Sequence, residues 1–230
     1  MKYVTFSYDD GCRQDIRFTE ILRKYNLKAT FNLNSGFLGN RGRINHFGFD
    51  LPFDKIAPDE VKQVYEGFEV ASHGTAHRNF PDLDDTELDR EVSDDKTALE
   101  KLTGQPVIGA AYPCGAFDDR IADRLRSRGI LYCRTIVSGH SFDIPVDFNL
   151  WNPTCRDHGD DALGYAEKFL KLVTDKDAVL YIWGHSFEFD KTDCDRWYEI
   201  EKLCEMLAGH KDITYATNGE IFRAITSRRA

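Results

Sequence analysis

Three groups of side chains in this sequence combine residue types that bind cations or transfer protons. Asp9 and Asp10 are adjacent carboxylates, and His73 and His77 are histidines four positions apart. His185 follows an apolar run late in the chain. Imidazole nitrogens and carboxylate oxygens together bind divalent cations such as Zn²⁺. If the segment with the two histidines forms one helical turn, their i and i+4 spacing places both imidazoles on one face, where they can hold one cation.

Each group also has an ordinary structural interpretation. An isolated Asp-Asp-Gly sequence, as at residues 9–11, is typical of a surface turn. Two histidines four apart arise often by chance, and a lone histidine is more often structural than catalytic. The position of the groups relative to the secondary structure is therefore what favours a shared site.

Strand patterns and helix patterns alternate along the whole chain. Two long segments, 34–57 and 138–159, have no regular pattern and are predicted to be irregular. The predicted strands are 3–7, 28–33, 69–72, 107–111, 130–136, 178–183 and 213–216, and the predicted helices are 19–25, 58–65, 84–102, 118–127, 161–173 and 196–208. A strand followed by a helix, repeated about seven times, predicts parallel strands joined by helical crossovers.

This order predicts an α/β fold and a single domain over residues 1–230, and both an open sheet and a closed barrel satisfy it. In either architecture the chemistry lies at the carboxyl ends of the strands. All three groups follow predicted strands, and the Pro- and Gly-containing turn at residues 111–116 follows another. Such a turn can direct backbone N–H groups into a cavity. The sequence therefore predicts one site that these segments share.

Composition excludes several classes of function. The 230 residues carry a formal net charge of −9, which would repel a polyphosphate backbone, so nucleic acid is not an expected partner. No apolar run approaches the ~20 residues that cross a bilayer, so a membrane role is not expected. The chain starts without a secretory pattern and is expected to be cytoplasmic. Its six cysteines are widely spread and are expected to be reduced thiols. They are Cys12, Cys114, Cys133, Cys155, Cys194 and Cys204.

The motifs resemble those of the polysaccharide deacetylase family, which is carbohydrate esterase family 4 with its NodB homology domain. Residues 8–11, Tyr-Asp-Asp-Gly, are similar to the family's Phe-Asp-Asp-Gly, and residues 72–77 match the spacing of its histidine pair. Residues 180–185 match its late strand that ends in a histidine. The resemblance runs from Thr5 to about Ile225 in the family's motif order. It implies a distorted (β/α)7 barrel.

The resemblance implies a role for each group. Asp10, His73 and His77 would be the ligands of one divalent cation, and Asp9 would be the general base. Chemistry supports this division, since two histidines and one carboxylate leave open positions at a metal that activates water. Asp9, beside a ligand but free of the metal, can take the proton of the attacking water. Zinc is the expected metal, although such a site also accommodates cobalt, nickel, iron or manganese.

The remaining catalytic roles fall to the third motif and to the late histidine. The backbone N–H of Cys114 would stabilise the oxyanion, and His185 would protonate the departing amine. Tyr112 and Trp151 are expected to contact the substrate. Asp147, in a partial match to the family's fourth motif, could pair with His185.

One departure from the family pattern concerns an arginine. The third motif usually carries an arginine that orients the catalytic aspartate, and this sequence has Ala111 in that place. Arg156 is the predicted replacement, although a surface arginine is the commoner outcome. His46, His140, His158 and His210 match no motif and are interpreted as surface or structural histidines.

Three functions remain open at this point. The first is a metal-dependent hydrolase that removes an N-acetyl, or less readily an O-acetyl, group from a carbohydrate or glycoconjugate. The second is hydrolysis of another C–N bond, such as that of a small cyclic amide. The third is a carbohydrate-binding protein without catalysis, which the missing motif arginine favours and the intact acidic and histidine residues oppose.

Overall fold

The structure is a computed structural model that describes residues 1–229. Most of its strands lie in one parallel sheet, and its helices follow the strands along the chain. The strands are β1 (Lys2–Asp9), β2 (Ala29–Leu33), β3 (Arg43–His46), β4 (Phe49–Pro52), β5 (Glu69–Ser72), β6 (Gly109–Ala111), β7 (Tyr132–Arg134), β8 (Cys155–Arg156), β9 (Ala178–Gly184) and β10 (Ile213–Tyr215). The α-helices are α1 (Asp15–Lys24), α2 (Val61–Val64), α3 (Asp85–Thr103), α4 (Asp119–Ser127), α5 (Ala162–Leu170), α6 (Arg196–Leu207) and α7 (Asn218–Arg229).

The main sheet has the strand order β7-β6-β5-β2-β1-β9-β8, and β10 pairs with the first residues of β1. Every pairing in this sheet is parallel. All eight residues of the central strand β1 are buried. Both faces of such a strand are covered by other parts of the protein, so its polar residues Thr5, Ser7 and Asp9 are buried along with its apolar ones. The carboxyl ends of β1, β2, β5, β6, β7 and β9 therefore meet at one edge.

An irregular segment joins the two outer strands and curls the sheet into a distorted barrel. Trp151 forms a parallel β-bridge with Arg134 of β7, and the backbone N–H of Trp151 donates to the carbonyl of Cys133 at 3.1 Å. A few residues further on, Cys155 of β8 pairs with Ile182 of β9. The segment predicted to be irregular thus holds the two sides of the barrel together.

Several predicted elements are confirmed closely. Helix α3 begins where the acidic residues predict, because Asp84 accepts a hydrogen bond from the backbone N–H of Glu87 at 2.8 Å. The Glu87 side chain accepts from the N–H of Asp84 in return, which completes a capping box. Other predictions were incomplete. The segment 34–57 contains the antiparallel hairpin β3–β4, helix 58–65 shortens to α2, and α7 follows the last predicted strand.

Within residues 1–229, no helix is both long enough and apolar enough to cross a bilayer. The six cysteines are free in the structure, and four of them are buried.

Candidate active site

A cluster of possible metal ligands lies at the carboxyl edge of the barrel. Asp10 follows β1, and His73 and His77 follow β5. One ligand atom from each of the three residues lies within 4.8 Å of the others, and Nε2 of His77 is 3.9 Å from Oδ1 of Asp10. The structure thus brings together the three side chains predicted to hold a cation.

The protonation of these side chains fits a divalent cation. Nδ1 of His73 lies 2.9 Å from the carbonyl of Ala111, which leaves Nε2 free to point its lone pair into the cluster. Burial lowers the pKa of His73 to about 4, so the imidazole is neutral, the form that binds metals. Burial opposes the charge on Asp10, but Lys55 and the neighbouring histidines outweigh it and lower the pKa of this carboxyl.

The backbone around the cluster departs from regular structure. The helical turn considered for residues 73–77 does not form, because these residues form a bend in which Gly74 has φ +74°. Asp10 (φ +79°) and His77 (φ +50°) also occupy the left-handed region, which is uncommon for residues other than glycine. Such conformations persist where the surroundings hold them, often at functional sites. The two histidines are brought together by this irregular bend and not by the i and i+4 spacing of a helix.

Asp9 lies beside this cluster and is held from two sides. Its Oδ1 accepts a hydrogen bond from Nδ2 of Asn32 at 2.8 Å, and its Oδ2 accepts one from Nη2 of Arg134. Nε2 of His73 is 3.9 Å from the same Oδ2. Burial alone would raise the pKa of Asp9, but the Arg134 guanidinium, with help from His73 and His185, holds it well below its usual range. Asp9 is thus an ionised carboxylate in a fixed orientation.

The prediction that Arg156 orients Asp9 is wrong. Arg134, at the end of β7, is completely buried and contacts Asp9 directly, whereas Nη2 of Arg156 donates to both carboxylate oxygens of Glu188, at 2.7 and 2.8 Å. The guanidinium of Arg134 thus makes the contact with Asp9 that the family's third-motif arginine would make from the position of Ala111. One signal was available in the sequence, since a charged residue within an apolar strand needs a buried partner. Asn32, a polar residue within the strand β2, likewise indicates a buried partner.

His185 follows β9 and faces the same site. Its Nε2 lies 3.9 Å from Oδ2 of Asp9, and its side chain is 19% exposed. On the other side of the ring, Nδ1 lies 3.6 Å from Oε2 of Glu188, which is completely buried. Burial opposes a charge on His185, but Glu188, Asp10 and Asp9 outweigh it and raise the pKa of the imidazole. His185 is therefore disposed to carry a proton.

The prediction that Asp147 pairs with His185 is wrong. Asp147 is 42% exposed, where its Oδ2 accepts a hydrogen bond from Arg126 at 2.5 Å. Its Oδ1 caps the turn that follows by accepting from the N–H of Asn149 at 2.9 Å. Glu188, three residues after His185, occupies the position beside the imidazole that was predicted for Asp147.

Glu188 is the centre of an ion-pair cluster that the sequence did not indicate. Besides Arg156, it lies 2.5 Å from Nε2 of His46, 3.2 Å from Nε2 of His158 and 3.2 Å from Nζ of Lys191. Burial would raise the pKa of Glu188, but His158, His185 and Arg156 hold it far below its usual range. Of the two roles predicted for His46 and His158, surface or structural, the contacts favour the structural one, since both form part of the wall behind His185.

Asp157, His158 and Glu188 form a second group of closely spaced metal-ligand types. Their charges are already satisfied by the protein. Burial would lower the pKa of His158, but its hydrogen bonds to Asp157 and Glu188 raise it to about 9. A protonated imidazole is not a metal ligand, and Arg156 also neutralises Glu188. We interpret this second group as a structural ion-pair cluster.

Comparisons with known proteins agree with this geometry. The family model described as polysaccharide deacetylase matches residues 1–133, which is more than half of the chain. The chain belongs to the polysaccharide deacetylase family. No curated protein matches it significantly.

Solved structures of family members show the fold. The chain is 16% identical to a proposed polysaccharide deacetylase from Mycobacterium smegmatis, with a TM-score of 0.66, and covers 91% of that chain with 99% of its own. It is 16% identical to a family 4 carbohydrate esterase from Streptomyces lividans solved with acetate, with a TM-score of 0.58, over 89% of this chain and 87% of that one. The predicted NodB-like distorted (β/α)7 barrel is confirmed.

A longer relative matches over part of its length. A polysaccharide deacetylase from Bacillus cereus is 23% identical over 58% of this chain, with a TM-score of 0.49. The chain spans 40% of the length of that protein.

Two aromatic residues of this deacetylase-family chain do not reach the substrate side. Tyr112, predicted to bind substrate, is completely buried and its hydroxyl donates to the carbonyl of Asn149 at 2.9 Å. Trp151, predicted to stack on a sugar, is 1% exposed and packs edge-on against Phe148 and Tyr181. Both predictions are wrong, because barrel closure directs these rings into the core.

Cys114 keeps the position that the third motif predicts. It lies in the short turn Pro113–Gly115 directly after β6, has φ +57° and is exposed. Its predicted role as the backbone donor to an oxyanion stays a prediction.

Proposed function

We propose that this chain is a metal-dependent hydrolase that removes N-acetyl groups from a carbohydrate or glycoconjugate. One observation carries the proposal: the ligand cluster of Asp10, His73 and His77 adjoins Asp9, and Asp9 in turn lies 3.9 Å from the imidazole of His185. A cation-binding cluster, an ionised carboxylate and a proton-carrying histidine are the groups that amide hydrolysis requires. Family membership supports the carbohydrate as substrate class.

The protein's own groups divide the proton transfers between them. When bound, a divalent cation would lower the pKa of water and polarise the acetyl carbonyl oxygen. Asp9 is fixed by Asn32 and Arg134 and keeps lone pairs free, so it can accept the proton of the attacking water. His185, whose pKa is raised by Glu188 and by the carboxylates of the site, donates a proton to the departing amine nitrogen. The Cys114 backbone N–H is the proposed second donor to the oxyanion.

The structure changes the balance between the competing functions. A carbohydrate-binding protein without catalysis was favoured by the missing motif arginine, and Arg134 supplies that guanidinium from another strand. The missing arginine therefore no longer favours a binding protein without catalysis. Hydrolysis of a small cyclic amide would use the same groups. The two reactions are distinguished by their products, because only deacetylation releases acetate.

The proposal is tested by metal content and acetate release together. We expect one divalent metal per chain by elemental analysis, and acetate release from N-acetylglucosamine oligomers that stops after chelation and returns with Zn²⁺ or Co²⁺. His77→Gln should lose the metal without unfolding, since this side chain is 31% exposed. His210→Gln is the matched control, because its ring hydrogen-bonds to the carbonyl of Met206 at 3.0 Å and belongs to neither group of metal-ligand types found among residues 1–229. Metal-replete protein that releases no acetate would contradict the proposal.

The role of His185 predicts different losses on two substrates. We expect His185→Ala to lose about 10²-fold or more of its amide hydrolysis, because an amine leaves only when it is protonated. An activated phenyl acetate releases a phenolate without that proton, so its hydrolysis should largely persist. Steady-state kinetics on both substrates measure the difference. Equal losses on amide and ester would refute the general-acid role and indicate support of the metal or the oxyanion.

A further inference from the structure

The hairpin β3–β4 presents a strained and exposed aromatic residue. His46 pairs with Phe49, so Phe47 and Gly48 form a two-residue turn. Their φ angles are +50° and +86°, which defines a type I′ turn, and such turns strongly prefer Asn-Gly. A bulky side chain at positive φ is a true outlier. The Phe47 side chain is nevertheless 80% exposed, so burial in the core does not explain its presence.

The hairpin is fixed against the active site. On its inner face, Leu51 is buried with Phe187, and Ile44 packs against them. His46, directly before the turn, reaches Glu188, the carboxylate beside His185. These contacts hold the tip of the hairpin next to the group that protonates the leaving amine.

The Phe47 ring itself lies close to the same cluster. Its centroid is 4.5 Å from that of the His46 ring and 5.5 Å from Nζ of Lys191. Lys191 and His46 both contact the Glu188 carboxylate. The exposed ring therefore borders the Glu188 cluster, which in turn adjoins His185.

The surroundings of the ring indicate what it could bind. Apart from Pro52, the other exposed residues of the two hairpin strands, Arg43, Asn45 and Asp50, are polar. A stable protein interface buries roughly 800 Å² on each partner and has an apolar centre, which one ring among polar groups does not provide. A sugar unit, in contrast, offers a C–H face to an aromatic ring and hydroxyls to polar neighbours.

We propose that Phe47 is a stacking platform for a sugar unit distant from the scissile acetamide, so that the substrate is an oligosaccharide or longer glycan. This proposal rests on the proposed function and adds substrate size to it. It also assigns to the hairpin the sugar contact that Trp151 does not make.

The test measures binding of metal-loaded protein to β-1,4-linked N-acetylglucosamine, as monomer and as pentamer, by calorimetry. We expect Phe47→Ala to weaken pentamer binding roughly 5- to 10-fold, the scale of one aromatic stack, and Phe47→Trp to retain it. Monomer binding should be equal in all variants. Val173→Ala, which alters a side chain 96% exposed elsewhere, is the matched control.

The outcomes separate this proposal from the proposed function. Pentamer affinity within twofold of wild type in Phe47→Ala, or no pentamer binding by wild type, would overturn the platform. Phe47-dependent pentamer binding without any acetate release would leave the platform in place and refute the deacetylase.

A second measurement examines the strain directly. Phe47→Asn places the preferred residue in the turn and should raise Tm while it weakens pentamer binding. A lower Tm would show that the ring stabilises the hairpin, and the strain argument for a ligand would fail.

Discussion

Replacement of Asp9 with asparagine should lower kcat by roughly 10²–10⁴-fold while the protein keeps its metal. The change removes the carboxylate that we propose accepts the proton of the attacking water, and it leaves Asp10, His73 and His77 intact. Metal content by elemental analysis and kcat on an N-acetylated oligosaccharide measure the two effects.

The environment of Asp9 adds a structural cost to the same variant. Both carboxylate oxygens accept hydrogen bonds, one from Asn32 and one from Arg134. In the variant, the NH₂ group of the asparagine would face one of these donors and could not accept its hydrogen bond. This loss should lower the free energy of unfolding by about 1–3 kcal/mol. Asp10→Asn is the paired variant and should lose the metal. If Asp9→Asn lost the metal and Asp10→Asn kept it, the roles of the two carboxylates would have to be exchanged.

Arg134→Met should lower the free energy of unfolding by about 3–5 kcal/mol, because it leaves Asp9 as a buried charge without its partner. Asp9 is 2% exposed and Arg134 is completely buried. Methionine is apolar and flexible and fills much of the vacated space, but it also loses the contact of the Arg134 guanidinium carbon with the Trp183 ring centroid, at 4.5 Å. Denaturant unfolding measures the change, and kcat should fall as Asp9 loses its fixed orientation.

Two further variants test whether the loss of stability in Arg134→Met comes from the unpaired charge of Asp9. Arg13→Met is the exposed control, because Arg13 pairs with Glu60 at 2.7 Å with 44% of its side chain exposed and should cost below about 1 kcal/mol. The double variant Asp9→Asn with Arg134→Met should lose less unfolding free energy than the sum of the two single losses. Each single variant leaves one buried charge without its partner, whereas the double variant removes both charges. Additive effects would show that the pair is not coupled, contrary to the structure.

The strand-end positions of the reactive residues could be predicted from the sequence. Apolar runs followed by Asp9, His73 and His185 indicate parallel strands, and the carboxyl ends of such strands meet at one edge. This rule brings residues that are distant in the chain into one site without any knowledge of side-chain directions. The motif resemblance adds that the sheet is a distorted (β/α)7 barrel, and the structure confirms that fold.

The partners of those residues were decided by tertiary structure alone. Arg134 is 125 positions from Asp9, and Arg156 and Arg134 both lie on outer strands of the same sheet. The sequence does not say which guanidinium reaches Asp9, because that depends on how the two outer strands close. Glu188 displaced Asp147 for a similar reason, since the turn after β9 directs its carboxylate back beneath the imidazole of His185.

The aromatic residues show the same limit in the irregular segments. Trp151 and Phe47 both lie in stretches without periodicity, so no pattern tells which ring faces the core and which faces solvent. Closure of the barrel buries Trp151, and a positive φ in a two-residue turn exposes Phe47. The sequence determined the chemistry and the edge where it lies, because residue type and strand order are local properties. Orientation and charge pairing depend on contacts between distant segments, and only the tertiary structure decided them.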